Sequence, residues 1–272
     1  MRAGYLGPPG TFSHEALGEG TEGVSFTTLY DVVMAVQEGT VERALVPIEN
    51  ALEGSVDVTL DTLALEATGV AIVGEIVHPV RHCLVARELM PLSEIMAVRS
   101  HPQASGQCAR FIREHLPDAK VLSATSTADA VRTLADGEAA LGTQLAATLY
   151  DGVVLRAGVE DHPDNATRFV WLAPAGSPPL GEPDKTSLLF WGAGTEASGW
   201  LVRCLSEFAF RGVNLTRIES RPRREGLGSY MFFLDLEGDA SAGPVSEAVE
   251  GLRAQTDHVR VLGTYRAGAT PG

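Results

Sequence analysis

The sequence predicts an α/β protein with a larger unit of alternating strands and helices and a smaller, ferredoxin-like βαββαβ unit. Short apolar runs typical of buried strands alternate with helical patterns up to about residue 172. This alternation predicts one mostly parallel sheet or two small ones. Residues 173–183, rich in proline, glycine and alanine, form the clearest linker in the chain. Beyond it the pattern is strand, helix, strand, strand, helix, strand, which is the ferredoxin-like order.

Composition restricts the classes of function. A chain of 272 residues with 44% hydrophobic residues is long enough for two domains. Its formal net charge of −14 argues against nucleic acid or a membrane surface as the main partner. Residues 1–5 lack the apolar run of a signal peptide, and the three cysteines show no metal-binding spacing. We therefore expect a cytoplasmic protein with reduced thiols, no metal and no membrane segment.

The first predicted strand, residues 3–6, is followed by a sharp turn and a helix start that carries hydroxyl groups. Gly-Pro-Pro-Gly at 7–10 breaks the strand, and Thr11 and Ser13 open the helix. This arrangement is either an anion site, built from free backbone N–H groups and the positive end of the helix dipole, or a plain helix cap.

The next buried strand is predicted over residues 44–48, after a helix over 29–38. Glu49 and Asn50 follow it directly. Ligands bind at the C-terminal ends of strands in open α/β sheets, and the amide of Asn50 can both donate and accept hydrogen bonds. Glu49 is either a member of a structural ion pair or a site residue.

The rest of the larger unit continues the alternation. We predict strands over 70–77, 95–100, 121–122, 139–142 and 153–157, and helices over 56–65, 128–134 and 144–149. Another helix begins at Ser100, which forms a predicted capping box with Gln103, and Pro102 suits its first turn. His78 and His82 are too far apart on an extended chain, at about 13 Å, for a shared metal ion.

Hydroxyl groups recur where the predicted helices begin. They stand at Thr11, Ser13, Ser100, Ser126 and Thr127. If these N-termini converge, they form a pocket for an anion that uses few basic residues. Such a pocket would reconcile an anionic ligand with an acidic chain.

Residues 165–169 place an amide, a hydroxyl and a guanidinium side by side, just before the apolar run 170–172. The forked guanidinium of Arg168 could grip a ligand carboxylate at the strand end. Two other interpretations are an N-glycosylation acceptor, because Asn165 and Thr167 fit that pattern, and a loop with an ordinary surface arginine.

The C-terminal unit is predicted to bind or to pair rather than to catalyse. Its strands are predicted over 186–191, 214–220, 229–236 and 259–265, and its helices over 200–210 and 244–254. It has no obvious nucleophile or base, while Asn214, Glu219, Ser220 and Arg221 lie near strand ends.

Five motifs in this order resemble those of the prephenate dehydratases that carry a C-terminal ACT regulatory domain. The motifs are Gly-Pro-Pro-Gly-Thr-Phe-Ser at 7–13, Ala-Leu-Val-Pro-Ile-Glu-Asn at 44–50, Ser-His-Pro-Gln-Ala at 100–104, Asn-Ala-Thr-Arg-Phe at 165–169 and Asn-Leu-Thr-Arg-Ile-Glu-Ser-Arg-Pro at 214–222. The resemblance covers about residues 3–266. It implies decarboxylating dehydration of prephenate to phenylpyruvate without a cofactor, and phenylalanine as the effector.

The resemblance also implies a domain plan. The catalytic domain, residues 1–178, would have two subdomains of the type 2 periplasmic-binding-protein kind with the active site between them. Subdomain one would comprise about 1–78 and 160–178, and subdomain two about 79–159. A linker over 179–185 would precede an ACT domain over 186–268. Such domains commonly pair, so we expect a homodimer or homotetramer.

Site residues follow from the residues and from the resemblance together. The catalytic threonine of the family falls on Thr167, which would assist departure of the ring hydroxyl, and Arg168 would hold a carboxylate. The predicted substrate-binding residues are Thr11, Ser13, Asn50, Ser55 and Phe169. The predicted effector-binding residues are Gly199, Trp200, Leu201, Asn214, Leu215, Glu219 and Ser220.

The sequence departs from the family pattern at two of these places. Ala51 stands where the family usually has serine, and Trp200 stands where it usually has alanine. Ser55 or a water could replace the missing hydroxyl, and the indole could fill or reshape the effector pocket. Two functional alternatives stay open, namely dehydration of arogenate and non-catalytic binding of a small anion.

Overall fold

The computed structural model describes residues 1–18, 20–192, 194 and 197–269. The first of its three sheets runs in the order β2-β1-β3-β11-β5, and a short strand, β4, pairs with β3. Its strands are β1 Arg2–Leu6, β2 Glu22–Phe26, β3 Arg43–Asn50, β4 Gly54–Ser55, β5 Val70–Pro79 and β11 Ala166–Pro174. Helices α1 Phe12–Leu17, α2 Leu29–Gln37 and α3 Asp57–Leu65 connect them.

The second sheet has the order β10-β6-β9-β7-β8. Its strands are β6 Cys83–Ala86, β7 Ala97–Ser100, β8 Lys120–Ser123, β9 Glu138–Gly142 and β10 Val153–Ala157. Its helices are α4 Pro102–Gln107, α5 Ala109–His115, α6 Thr127–Arg132 and α7 Gln144–Leu149, with a 3-10 turn at Leu92–Glu94.

The third sheet is antiparallel, with the order β13-β14-β12-β15. Its elements follow the chain as β12 Lys185–Trp191, α8 Trp200–Ala209, β13 Leu215–Pro222, β14 Tyr230–Glu237, α9 Gly243–Arg253 and β15 His258–Tyr265. This is the predicted βαββαβ order. Both helices bury their apolar residues against one face of the sheet.

The first two sheets are mixed rather than mostly parallel, which corrects the prediction. In the first sheet β1 is parallel to β2 and β3, but β11 is antiparallel to both β3 and β5. The reason is the path of the chain, because β11 returns from the second sheet and inserts between two strands of the first. Strand β2 was also missed, because Glu22–Phe26 has only one large aliphatic residue, Val24.

The third sheet packs through its other face against the first sheet and its helices. Leu189, Phe233 and Tyr265 belong to the same buried cluster as residues of α2 and α3. The backbone of β15 approaches β5 so closely that a Cβ at Gly263 would collide with the carbonyl of Ile72. The C-terminal unit is therefore closely packed against the unit that carries β3 and β11.

Two further observations concern predicted features. The predicted capping box at Ser100 is wrong, because His101 is the N-cap of α4 and its Nδ1 accepts a hydrogen bond from Gln103 N at 3.3 Å. The cysteines Cys83, Cys108 and Cys204 are buried and free. Over the residues that the structure describes, no helix has the length and apolar character needed to cross a membrane.

Candidate functional site

A cavity of about 430 Å³ lies between the first and second sheets. This volume is in the range of small-molecule pockets, about 300–1,000 Å³. The cavity is lined by turns and strand ends of both sheets, namely Leu6, Gly7, Thr11, Phe12, Ser13, Thr27, Pro47, Asn50, Val56, Val80, His82, His101, Gln103, Ala104, Gln107, Thr125, Ser126, Thr127, Thr167 and Phe169.

The predicted turn after β1 contributes two hydroxyl groups to this cavity. Thr11 is the N-cap of α1, where its Oγ1 donates to Leu6 O at 2.9 Å and accepts from His14 N at 3.4 Å. Ser13, in the first turn of the helix, is buried and lines the cavity. Phe169 also lines the cavity and is almost completely buried. Substrate contact by these three residues stays a prediction.

Thr167 and Asn50 face each other across β11 and β3. They are register partners, and the Asn50 Nδ2 donates to the Thr167 Oγ1 at 3.0 Å. The ladder is irregular immediately after this pair, between Arg168 and Phe169. Bulges of this kind are common beside active sites, where they re-aim side chains.

The hydrogen bonds of Asn50 fix the direction of the Thr167 hydroxyl. The Asn50 Oδ1 accepts from the backbone N–H groups of Leu52 and Glu53, both at 3.0 Å, so its Nδ2 must be the atom that faces Thr167. Because Oγ1 already accepts from this amide, its own proton is available for donation elsewhere. In the described part of the chain, Oγ1 has no other hydrogen-bond partner.

The cavity can hold an anion only through neutral donors and imidazole. Among the described residues that line it, none is lysine or arginine. Hydroxyls and amides are contributed instead by Thr11, Ser126 and Gln107, while His82 and His101 are the titratable groups. Of the predicted hydroxyl-bearing helix starts, Thr11, Ser13, Ser126 and Thr127 line the cavity, whereas Ser100 does not.

His82 lines the cavity, which the sequence did not predict. Its ring is 1% exposed, its Nε2 lies 3.1 Å from Gln107 Oε1, and its Nδ1 has no hydrogen-bond partner among the described residues. Burial lowers the pKa of His82 below its ordinary value of 6.5, against weaker opposing effects of Gln107 and Glu160. The imidazole is therefore neutral at neutral pH.

This pKa shift predicts a pH-dependent stability. The unfolded chain takes up a proton at His82 more readily than the folded chain does, so stability is complete above about pH 6.5 and falls as the pH drops toward the lower folded pKa. His82→Gln should flatten the dependence of the free energy of unfolding on pH, measured by urea titration between about pH 5 and pH 7. A slope equal to that of the unsubstituted chain would contradict the assignment.

Arg168 does not line the cavity, which corrects its predicted role as a carboxylate grip. Side chains alternate along a strand, so Thr167 and Phe169 face the cavity and Arg168 faces the opposite side of β11. There its Nε donates to Glu49 at 2.9 Å, its Nη1 to Glu75 at 2.9 Å and its Nη2 to Asp235 at 2.6 Å.

The ion cluster around Arg168 joins the first and third sheets. Burial alone would lower the pKa of Arg168, but its carboxylate partners raise it above the ordinary value. Glu75 and Asp235 are each 3% exposed, and Glu75 also accepts from Lys185 Nζ at 2.8 Å. Arg168 is therefore a charge-compensated structural residue in this protein.

Ser55 also faces away from the cavity, so it does not replace the hydroxyl that Ala51 lacks. Its Oγ donates to Glu219 and accepts from the Arg217 Nη2 at 2.5 Å. Both partners lie on β13 of the third sheet. The predicted effector residue Glu219 thus points toward the unit that carries β3 and β11, on the same side of β13 as Arg217, and both side chains are partly buried there.

A second pocket, in the C-terminal unit, contains part of the predicted effector site. It is lined by Ala197, Ser198, Gly199, Trp200, Leu201, Val202, Gly228, Tyr230 and Phe232. Gly199, Trp200 and Leu201 line this pocket, and their role in effector binding stays a prediction. Asn214, Leu215, Glu219 and Ser220 do not line this pocket.

Trp200 packs into the core beside this pocket. It is 5% exposed, its Nε1 donates to Gln255 O at 3.0 Å, and its ring lies 5.9 Å from Phe190 and 6.0 Å from Phe232. The indole thus forms a wall and leaves the pocket open.

Three further residues of the cavity come from the part of the chain that builds the second sheet. Gln107, Thr125 and His82 line the cavity. Gln107 ends the helix that starts in the motif at 100–104, so a helical projection from that motif could have found it. Over the described residues, no group of histidine, cysteine or carboxylate side chains could hold a metal ion.

Comparison with known proteins identifies one family. The model of the family described as "Prephenate dehydratase" matches residues 3–177. The chain is 36% identical over 284 residues to a protein named prephenate dehydratase from Bacillus subtilis (strain 168), and the match covers 98% of this chain and 99% of that protein.

Two solved structures are similar over nearly the whole chain. One is described as prephenate dehydratase in complex with L-Phe from Arthrobacter aurescens, with 35% identity and a TM-score of 0.89, and the match covers 97% of this chain and 89% of that one. The other is described as GqqA, a novel type of quorum quenching acylase, with 30% identity and a TM-score of 0.86, covering 98% of both chains.

Proposed function

We propose, because the chain belongs to the prephenate dehydratase family, that it converts prephenate to phenylpyruvate, CO2 and water. The observation that carries the proposal is the position of the Thr167 hydroxyl, which lines the cavity. Its oxygen accepts a hydrogen bond from Asn50, so its own proton can be donated to a ligand. The reaction needs such a donor where the ring hydroxyl departs.

The chemistry requires little from the protein beyond orientation and a hydrogen bond. The bond between the ring and its carboxylate breaks, and its electron pair enters the ring as the bond to the hydroxyl breaks. The departing oxygen leaves as hydroxide, which takes a proton from the solvent to become water. Thr167 donates the hydrogen bond that stabilises the developing hydroxide, and aromatisation drives the step without a cofactor.

The two carboxylates of prephenate would be held by neutral groups. Thr11, Ser13 and Ser126 offer hydroxyl donors, and Asn50 belongs to the same wall. Preorganised dipoles in a water-excluded site are effective because they do not have to reorient during the reaction. Phe169 and Val80 would pack against the ring.

Hydrolysis of an acyl compound, which the description of GqqA suggests for that protein, finds less support here. An acylase of the nucleophilic type needs a hydroxyl or thiol paired with a base. In the described residues, Thr167 Oγ1 is bonded to the amide of Asn50, which is not a base.

The activity is tested by incubating the purified chain with prephenate and, in parallel, with arogenate. We expect phenylpyruvate from prephenate. Formation of phenylalanine from arogenate, with prephenate unchanged, would assign the alternative dehydratase activity. Binding of prephenate without turnover would favour a non-catalytic anion-binding protein.

We further propose that residues 186–268 are an ACT domain that senses phenylalanine, that 1–178 are the catalytic domain and that 179–185 are the linker. The βαββαβ order and the pocket that contains Gly199, Trp200 and Leu201 support this proposal. The complex of the Arthrobacter aurescens relative with L-Phe supports phenylalanine as the effector.

A substitution of Tyr230 tests the effector site. Tyr230→Ala should raise the phenylalanine concentration for half inhibition about fivefold, because an aromatic contact is worth about 1 kcal/mol. Tyr30→Ala is a matched control, since both tyrosines are about equally exposed, at 43% and 39%. Equal inhibition curves for the Tyr230 variant and the control would contradict the proposed site.

A homodimer or homotetramer is proposed from the surface of the C-terminal unit. Strand β13 is a free edge of its sheet, and Val202, Phe210 and Leu227 are highly exposed. Open edges and exposed apolar side chains favour pairing with another chain. Light scattering of the full chain measures the assembly.

A further inference from the structure

Asn165 is a buried amide at the point where the two subdomains of the cavity meet. It is 2% exposed and lies immediately before β11. Its Oδ1 accepts from Asn50 Nδ2 at 3.0 Å, and its Nδ2 donates to Gln107 Oε1 at 3.2 Å. Asn50 belongs to the first sheet, whereas Gln107 belongs to α4 of the second.

These contacts close into a ring of four hydrogen-bonded residues. Gln107 Nε2 donates to Glu53 Oε1 at 3.2 Å, and Glu53 N donates back to Asn50 Oδ1 at 3.0 Å. Each member of the ring both donates and accepts. Such closed chains strengthen their bonds mutually and hold amides in one orientation.

The ring acts on the donor of the proposed reaction. The Nδ2 of Asn50 has two hydrogens, and Asn165 and Thr167 each accept from it at 3.0 Å. The same Nδ2 also lies 3.2 Å from the backbone oxygen of Ala166. If Asn165 loses its bond, the freed hydrogen turns toward Ala166 O, and the amide tilts about its Oδ1, which stays bound to the N–H groups of Leu52 and Glu53. The contact that fixes the direction of the Thr167 hydroxyl is then weakened.

We infer that Asn165 is a positioning residue, which aligns the Thr167 hydroxyl through Asn50 only while Gln107 of the second subdomain is in place. The inference rests on the proposed dehydratase function. The Thr167 hydroxyl is then correctly directed only while the cavity between the first and second sheets is closed.

The chemistry of the amide explains why residue 165 must be asparagine. One atom has to accept from Asn50 and another has to donate to Gln107. Aspartate retains the first bond, but it cannot donate and its charge would repel the Gln107 oxygen. Alanine loses both bonds and leaves the Asn50 and Gln107 amides with one hydrogen-bond partner fewer each.

The test compares Asn165→Asp and Asn165→Ala with the unsubstituted chain in steady-state turnover of prephenate. We expect kcat to fall about tenfold to a hundredfold in both variants, while KM changes much less. Tyr150→Phe is the matched control, because it removes another hydrogen bond between the subdomains, from Tyr150 to Pro9 O at 2.8 Å. This control should keep its kcat.

A double substitution separates positioning from general stability. In a Thr167→Val background, Asn165→Asp should have almost no further effect on kcat, because the hydroxyl through which Asn165 acts is already absent. Additive losses, or a normal kcat in both single variants, would overturn the positioning role while leaving the dehydratase function intact. An unsubstituted chain without turnover would overturn both.

Discussion

Thr167→Val should lower kcat for prephenate about a hundredfold to a thousandfold, which is the usual cost of removing one preorganised donor to a developing negative charge. Valine keeps the branched shape on β11 and removes only the hydroxyl. The KM should change little, because Thr167 acts on the departing group rather than on the carboxylates. Steady-state kinetics of phenylpyruvate formation measure both constants.

Thr167→Ser is the control for this result. Serine keeps the hydroxyl and the hydrogen bond from Asn50, so most of the turnover should remain. If the valine variant kept the turnover of the unsubstituted chain, Thr167 would have no part in the chemistry.

Arg168→Met should lower the free energy of unfolding by about 3–5 kcal/mol, the cost of breaking a buried ion pair by removing one partner. The substitution would leave Glu75 and Asp235 buried, with Lys185 as the remaining cation beside Glu75. Chemical denaturation measures the loss. Any folded fraction should bind prephenate with a normal KM, since the guanidinium lies outside the cavity.

Arg99→Met is the matched control for Arg168. Its guanidinium makes two hydrogen bonds to Glu138, both at 3.0 Å, but the side chain is 26% exposed. A pair in partial contact with water contributes about 1 kcal/mol or less. Equal losses of stability in the two variants would contradict the structural role of Arg168. A KM that rises strongly only in the Arg168 variant would restore the carboxylate-grip interpretation.

The family and the cavity wall of the first subdomain could be predicted from sequence because their signals are local. The turn at 7–13 and the strand end at Asn50 combine strong turn formers with side chains of known chemistry. The prediction of the family is confirmed. The predicted elements Gln144–Leu149 and Val153–Ala157 begin and end where the structure has them.

The role of Arg168 could not be predicted in full, because its partners are distant in the sequence. Glu49 and Asp235 lie 119 and 67 positions away and come from two different sheets. The alternation of side chains along β11 was nevertheless available, and it places Arg168 and Thr167 on opposite faces.

The direction of β11 and the orientation of Ser55 were hidden for a similar reason. Periodicity shows that a segment is a strand but not which neighbours it pairs with. Ser55 faces β13, a strand more than 150 positions later, where Arg217 and Glu219 bind it. No local pattern around Ser55 contains this information.

A crystal structure of the Thr167→Val variant with prephenate bound tests the role of Thr167 most directly. We expect prephenate in the cavity between the first two sheets, with its ring hydroxyl facing residue 167 and its carboxylates on hydroxyl and amide donors. Prephenate bound elsewhere, or with a carboxylate on the guanidinium of Arg168, would contradict this expectation.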